Sequence, residues 1–211
     1  MSALHLEFLD RLNAMPVVAI LRGVRPQEVE RIADAIIAAG VTIIEVPLNS
    51  PDPFISISLL AKTCAGRALI GAGTVLSTAD VSRCHDAGSQ IIVSPNMRPD
   101  VIAASVAAGM ISAPGCLTPT EAFAALDAGA HAIKLFPGEL VSPAVVKAIR
   151  AVLPKAATLL VVGGINPDNA IAFQHAGANG FGVGGSIYRI GTTATEAGRN
   201  TTAFTKLLCP K

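Results

Sequence analysis

The run Ala132-Ile133-Lys134-Leu135-Phe136-Pro137 is short and apolar, with Gly129 before it and Pro137-Gly138 closing it. A run of this length between turn residues reads as a buried strand. Side chains alternate along a strand, so Ala132, Lys134 and Phe136 share one face. Lysine is seldom buried without a partner. Burial penalises its charged form and lowers its pKa. An uncharged amine in a dry pocket is a nucleophile toward carbonyl carbon. The plainer alternative is a lysine at a strand end that snorkels to water.

Working outward, the same unit recurs on both sides. A helix from Thr118 stops at Ala128-Gly129 just before the lysine strand, and a helix over Ser142–Val152 follows it. Further strands are predicted at Val17–Leu21, Thr42–Val46, Ala68–Gly71, Ile91–Val93, Met110–Ala113, Thr158–Val162 and Gly180–Val183. The intervening helices close at Gly40, Gly66, Gly88, Gly109 and Gly177, the residue type that suits a helix C-terminus. One of these helices is predicted to start at Pro167, and the last to run from Glu196 to Leu208. Residues Ser2 to Ala14 form an additional amphipathic helix, with Leu4, Phe8 and Leu12 on one side. Repeated strand–turn–helix units, about eight of them, predict an α/β fold of the (β/α)8 TIM-barrel type with an extra N-terminal helix. The rival arrangement is an open doubly wound sheet. No linker or low-complexity stretch divides the chain, so residues 1–211 are expected to be a single domain.

Composition excludes several classes of function. The chain has 211 residues and a net charge of +1, which gives no electrostatic reason to expect nucleic acid or an acidic membrane surface. Tryptophan is absent and aromatics make up 4%, which argues against a base-stacking surface. Cys64, Cys84, Cys116 and Cys209 are widely and irregularly spaced, so neither a disulfide framework nor a zinc site is expected. Reduced thiols in a cytoplasmic setting are the simpler expectation. The N-terminus lacks the basic start and apolar core of a signal peptide. The uncharged run between Asp100 and Glu121 has bilayer length but contains Gly109, Pro114, Gly115 and Pro119, so it reads as helix, strand and loop.

In such barrels the functional site lies at the C-terminal ends of the strands. Those ends carry Arg22, Glu45, Thr74, Cys116, Lys134, Gly163-Gly164 and Gly184-Gly185-Ser186, so the distinctive residues converge on one rim. Alternation turns Ile44 and Val46 toward the helices and Glu45 into the barrel, as it does Lys134. A self-satisfied ion pair is the alternative to a catalytic pair, although such pairs contribute little net stability. Gly163, Gly164, Gly184, Gly185 and Ser186 end the last two strands, where backbone N–H groups hold phosphate in many barrels. Arg22 and Thr74 are further candidates for anion contacts. No histidine lies near Cys116 in the sequence, so it is not expected to act as a nucleophile. His85, His131 and His175 fall at the opposite ends of their units.

Five stretches together resemble the KDPG/KHG aldolase family. They are Ala19-Ile20-Leu21-Arg22-Gly23, Ile44-Glu45-Val46-Pro47-Leu48-Asn49-Ser50, Leu69-Ile70-Gly71-Ala72-Gly73-Thr74-Val75, Ile133-Lys134-Leu135-Phe136-Pro137 and Val162-Gly163-Gly164. The resemblance implies a class I aldolase, a carbon–carbon lyase that needs no metal or other cofactor and is typically a homotrimer. Its substrate would be a six-carbon 2-oxo-3-deoxy sugar acid phosphate, cleaved to pyruvate and D-glyceraldehyde 3-phosphate. Lys134 matches the Schiff-base lysine and Glu45 the general acid/base. The phosphogluconate-cleaving branch usually has Arg-Thr at Asn49-Ser50 and Thr-Gly-Gly at Val162-Gly163-Gly164. Both departures point to the phosphogalactonate-cleaving branch, and the carboxylate role then falls to Arg22 with Thr74. Three competing readings remain at this stage: an aldolase for the phosphogluconate epimer, a phosphosugar isomerase or epimerase on the same barrel, and a phosphosugar-binding protein without catalysis.

Overall fold

The computed structural model describes residues 1–208, and Cys209 lies outside the described residues. The extra N-terminal helix is α1 (Ala3–Ala14), capped by the Ser2 side chain, which accepts from His5 N–H. Strands β1 (Val17–Ile20), β2 (Ile43–Pro47), β3 (Leu69–Gly73) and β4 (Ile91–Val93) alternate with helices α2 (Pro26–Ala38), α3 (Pro53–Thr63) and α4 (Thr78–Asp86). Helix α5 (Pro99–Ala107) leads to β5, which has two segments, Ile111–Ala113 and Gly115–Cys116. Then come α6 (Pro119–Asp127), β6 (Ala132–Leu135), α7 (Pro143–Val152), β7 (Thr158–Val162), α8 (Ala170–His175), β8 (Gly180–Val183) and α9 (Ala194–Leu208).

All strand pairings are parallel. The sheet runs from the first segment of β5 through β4, β3, β2, β1, β8, β7 and β6 to the second segment of β5. Its two ends are therefore halves of one strand, and the barrel closes through Pro114. Proline has no N–H to give to a ladder, which is why the strand is interrupted there. The seam is still bonded: His131 N–H donates to Ser112 O at 2.9 Å and Lys134 N–H to Pro114 O at 3.0 Å. This bears out the expected barrel.

The predicted helix stops follow from backbone geometry. Gly40, Gly66, Gly88, Gly109, Gly129 and Gly177 all adopt positive φ, from 73° to 106°, where a side chain would be strained. The helix boundaries differ most in one place. The helix expected from Pro167 begins at Ala170, because Asn166 folds the chain into a turn first: its Oδ1 accepts from Asp168 N–H at 2.9 Å.

Two apolar layers follow from the alternation. Ile44, Val46, Ile133 and Leu135 point outward into the helix–sheet core. Val18, Ile20, Ile43, Leu69, Ile91, Ala132 and Leu160 fill the barrel, with Phe8 and Leu12 of α1 entering from below. On β8 the inward positions are glycines, and neighbours take the space: a Cβ on Gly180 would sit 2.7 Å from Leu12 Cδ1. At this lower end three side chains accept from the backbone of the preceding strand. Gln90 Oε1 accepts from Ile70 N–H at 3.2 Å, His131 Nδ1 from Ser112 N–H at 3.2 Å, and Asn179 Oδ1 from Leu159 N–H at 2.8 Å. No helix among the described residues is long and apolar enough to cross a membrane.

Candidate active site

Lys134 ends β6 facing inward, and its side chain is buried. Its Nζ lies 4.6 Å from the centre of the Phe136 ring, on the same strand face. Burial pulls the amine's pKa below the ordinary lysine value, and the Arg22 charge lowers it further against an opposing pull from Glu45. Glu45, inward on β2, is 3% exposed. Burial raises its pKa, and the charges of Lys134 and Arg22 offset that only partly. Glu45 Oε2 has no hydrogen-bond partner among the described residues. No ion pair joins Glu45 to Lys134 among those residues either. Both shifts run toward the uncharged forms, and the two buried groups share the barrel interior with no salt bridge between them among the described residues.

Room for that carboxyl comes from β3. Glu45 pairs in register with Gly71, and Pro47 with Gly73. A Cβ on Gly73 would stand 2.7 Å from the Glu45 carboxyl carbon, so a side chain there would displace it. Sequence reasoning placed Gly73 in the loop and missed this role. The alternation Gly71-Ala72-Gly73 beside an inward carboxylate was the available signal.

Above the pair a cavity of about 480 Å³ opens at the C-terminal rim. Arg22, Lys134, Gly163, Gly164, Gly184, Gly185 and Ser186 all line it, as the rim argument expects. Glu45 lies beneath, in a narrow apolar chamber that also touches Lys134, Ile20 and Val162. A larger hollow of about 560 Å³ lies on the outer surface by α3 and α4, lined by Phe54, Ile55 and Arg83. That hollow holds neither the amine nor the buried carboxyl.

The glycine loops are preset. Gly163 and Gly164 have φ of 110° and 66°. Ser186 Oγ donates to Ile165 O at 2.8 Å and so ties the loop after β8 to the loop after β7. Its hydroxyl hydrogen is therefore committed to the protein. The backbone N–H groups of Gly164, Gly185 and Ser186 make no hydrogen bond among the described residues. Three more polar residues line the cavity: Glu139, Asn166 and Arg189.

Arg22 follows β1, and its Nη1 donates to Asn49 Oδ1 at 3.0 Å. Ser50 Oγ accepts from Gly23 N–H at 2.9 Å, so the loop after β2 holds the loop after β1. Thr74 lines neither the cavity nor the chamber below it; it sits at φ 57° in the turn after β3. Cys116 is buried and its thiol is pushed up to about 12 by that burial, far from a thiolate at neutral pH.

A closed parallel barrel with a buried amine and carboxyl under a glycine-rimmed mouth is the frame of a barrel aldolase, a carbon–carbon lyase. The chain belongs to the KDPG and KHG aldolase family, whose model matches residues 9–197. A protein of Rhizobium meliloti (strain 1021) named "Probable 2-dehydro-3-deoxy-6-phosphogalactonate aldolase" is 46% identical over 86% of this chain and 85% of its own length. The 2-dehydro-3-deoxy-6-phosphogalactonate aldolase of Escherichia coli (strain K12) is 42% identical over 91% of this chain and 94% of its own. A solved structure described as "Native KDPGal structure" superposes with a TM-score of 0.90 at 42% identity, covering 92% of this chain and 94% of that one.

Proposed function

We propose that the chain is a class I aldolase that cleaves 2-dehydro-3-deoxy-6-phosphogalactonate to pyruvate and D-glyceraldehyde 3-phosphate. The observation that carries this is the placement of Lys134 and Glu45, both buried and both lining one chamber beneath the cavity.

The neutral amine of Lys134 adds to the C2 ketone. The protonated Glu45 carboxyl gives its proton to the carbinolamine oxygen, which leaves as water, and an iminium and a carboxylate result. The carboxylate takes the C4 hydroxyl proton through water while the C3–C4 bond breaks. Its electron pair runs into the iminium, leaving an enamine and the aldehyde. Glu45 returns the proton to C3, then accepts one from the water that attacks the pyruvate iminium. Collapse of that adduct releases pyruvate and returns the amine and the carboxyl to their starting forms. Free backbone N–H groups at Gly164, Gly185 and Ser186 hold the phosphate, and Arg22 takes the carboxylate. Thr74 keeps a part only if its turn moves toward the cavity when substrate binds.

Specificity for the galactonate epimer is supported by two positions and by the names of the relatives at 46% and 42% identity. Val162 presents an apolar side chain to the cavity, and Asn49 engages Arg22. A homotrimer is supported by apolar side chains such as Leu140 and Ile190, which the single chain leaves 70% and 72% exposed. A cytoplasmic setting is supported by the free, buried thiols of Cys64, Cys84 and Cys116. The test is pyruvate release measured on the galactonate and gluconate epimers side by side, with borohydride trapping of pyruvate. Faster release from the galactonate epimer and a reduced adduct on Lys134 are expected. An active protein with no adduct would sink the mechanism.

A further inference from the structure

We propose that Arg189 is a binding residue for the substrate's phosphate, a role that rests on the aldolase reading above. Arg189 follows the turn that ends β8 and lines the same cavity as Lys134. Its Nε donates to Gly185 O at 2.8 Å, which fixes the guanidinium beside the glycine loop. The approach is close: a Cβ on Gly185 would lie 3.2 Å from Nε and 3.7 Å from Nη2. A guanidinium carries five N–H donors. Here one is used, and the Nη groups have no partner among the described residues.

Charge supplies the reason for an arginine at this place. A phosphate monoester brings roughly −1.5 to −2 charge near neutral pH. Backbone N–H groups offer only partial charges. On the other side of the cavity the Glu139 carboxylate lies over the second glycine loop, with its Cγ 3.1 Å from where a Gly164 Cβ would be. A dianion held by the Gly164, Gly185 and Ser186 N–H groups is repelled by that carboxylate, and the Arg189 guanidinium offsets the repulsion. A guanidinium meets phosphate as a two-pronged donor, which an ammonium does not. Arg22, the other arginine of the cavity, is tied to Asn49 and near enough to depress the Lys134 pKa, so it belongs to the reacting end of the substrate.

The experiment compares Arg189→Gln and Arg189→Lys with the parent chain on two substrates, the phosphorylated sugar acid and the same acid without phosphate. For Arg189→Gln, KM for the phosphorylated substrate should rise about tenfold, the scale of one charge-assisted hydrogen bond on an exposed side chain. KM for the unphosphorylated acid should not move. Inorganic phosphate should inhibit the parent chain competitively and lose about the same factor of potency against Arg189→Gln. Arg189→Lys should recover part of both effects. Borohydride trapping of pyruvate on Lys134 should be unchanged in each variant, which also shows that they fold. An unchanged KM and phosphate inhibition with an intact adduct overturns the role of Arg189 alone. Equal losses on both substrates would make Arg189 a strut for Gly185 and overturn it too. A missing adduct in the parent chain instead overturns the aldolase mechanism.

Discussion

The two mouths of the barrel are built from the same strands and handled in opposite ways. The lower mouth is stoppered: Phe8 and Leu12 of α1 fill it, and a Cβ on Gly180 would run into Leu12. The upper mouth is left open, floored by Lys134 and rimmed by glycine loops. The difference shows what keeps the amine out of bulk water. A plug on one side shuts out water from beneath, so Lys134 and Glu45 meet solvent only through the cavity that takes the substrate. The plug belongs to stability and the rim to chemistry, and the two should separate when each is attacked.

Lys134→Ala should have the largest effect, reducing activity to background and abolishing the trapped pyruvate adduct in mass spectrometry. Glu45→Gln should lower kcat by about 10²–10⁴-fold, the usual scale for general acid–base catalysis, while the adduct still forms. At the stoppered end, Phe8→Ala should cost about 3–5 kcal/mol of stability in denaturant titration. With α1 loosened, water should reach Glu45 from below, so kcat should fall more than KM rises. An unchanged kcat would break the contrast drawn between the two mouths.

Acid should have the smallest effect, and again at the lower end. His5 and His131 stack edge to face with ring centres 4.7 Å apart. Burial lowers both pKa values below 6.5; the chain's amino terminus adds to this for His5, and His5 adds to it for His131. Above the unfolded value neither state binds a proton, and stability is full. As pH falls below about 6.5 the unfolded chain takes up protons that the folded one refuses, so stability declines until the depressed folded pKa is reached. Thermal melts between pH 7 and 5 should show this decline, and His131→Asn should flatten it.

How much of this was legible in the sequence depends on the range of the interaction. Alternation along Ile43–Pro47 and Ala132–Leu135 is local, so the inward Glu45 and Lys134 could be read from the order of residues. Glycine at a helix stop is equally local. What escaped needed partners far apart in the chain. Gly73 makes room for a carboxyl on another strand. Asn49 reaches Arg22 across 27 positions. Arg189 looks like any arginine after a last strand until its guanidinium is seen against Gly185. Thr74 stands off the cavity for a similar reason: its place depends on a left-handed turn that the residue type does not announce.

The three side chains that accept from neighbouring strands at the lower end act as rivets on the staves. Gln90 and Asn179 are amides and hold at any ordinary pH, but the third, His131, accepts through Nδ1 and must let go of Ser112 once that nitrogen is protonated. Ser112 lies on the strand that carries the Pro114 seam. Under mild acid the ring should therefore begin to part beside its own joint, with the Ser112 amide exchanging its hydrogen ahead of those of Ile70 and Leu159.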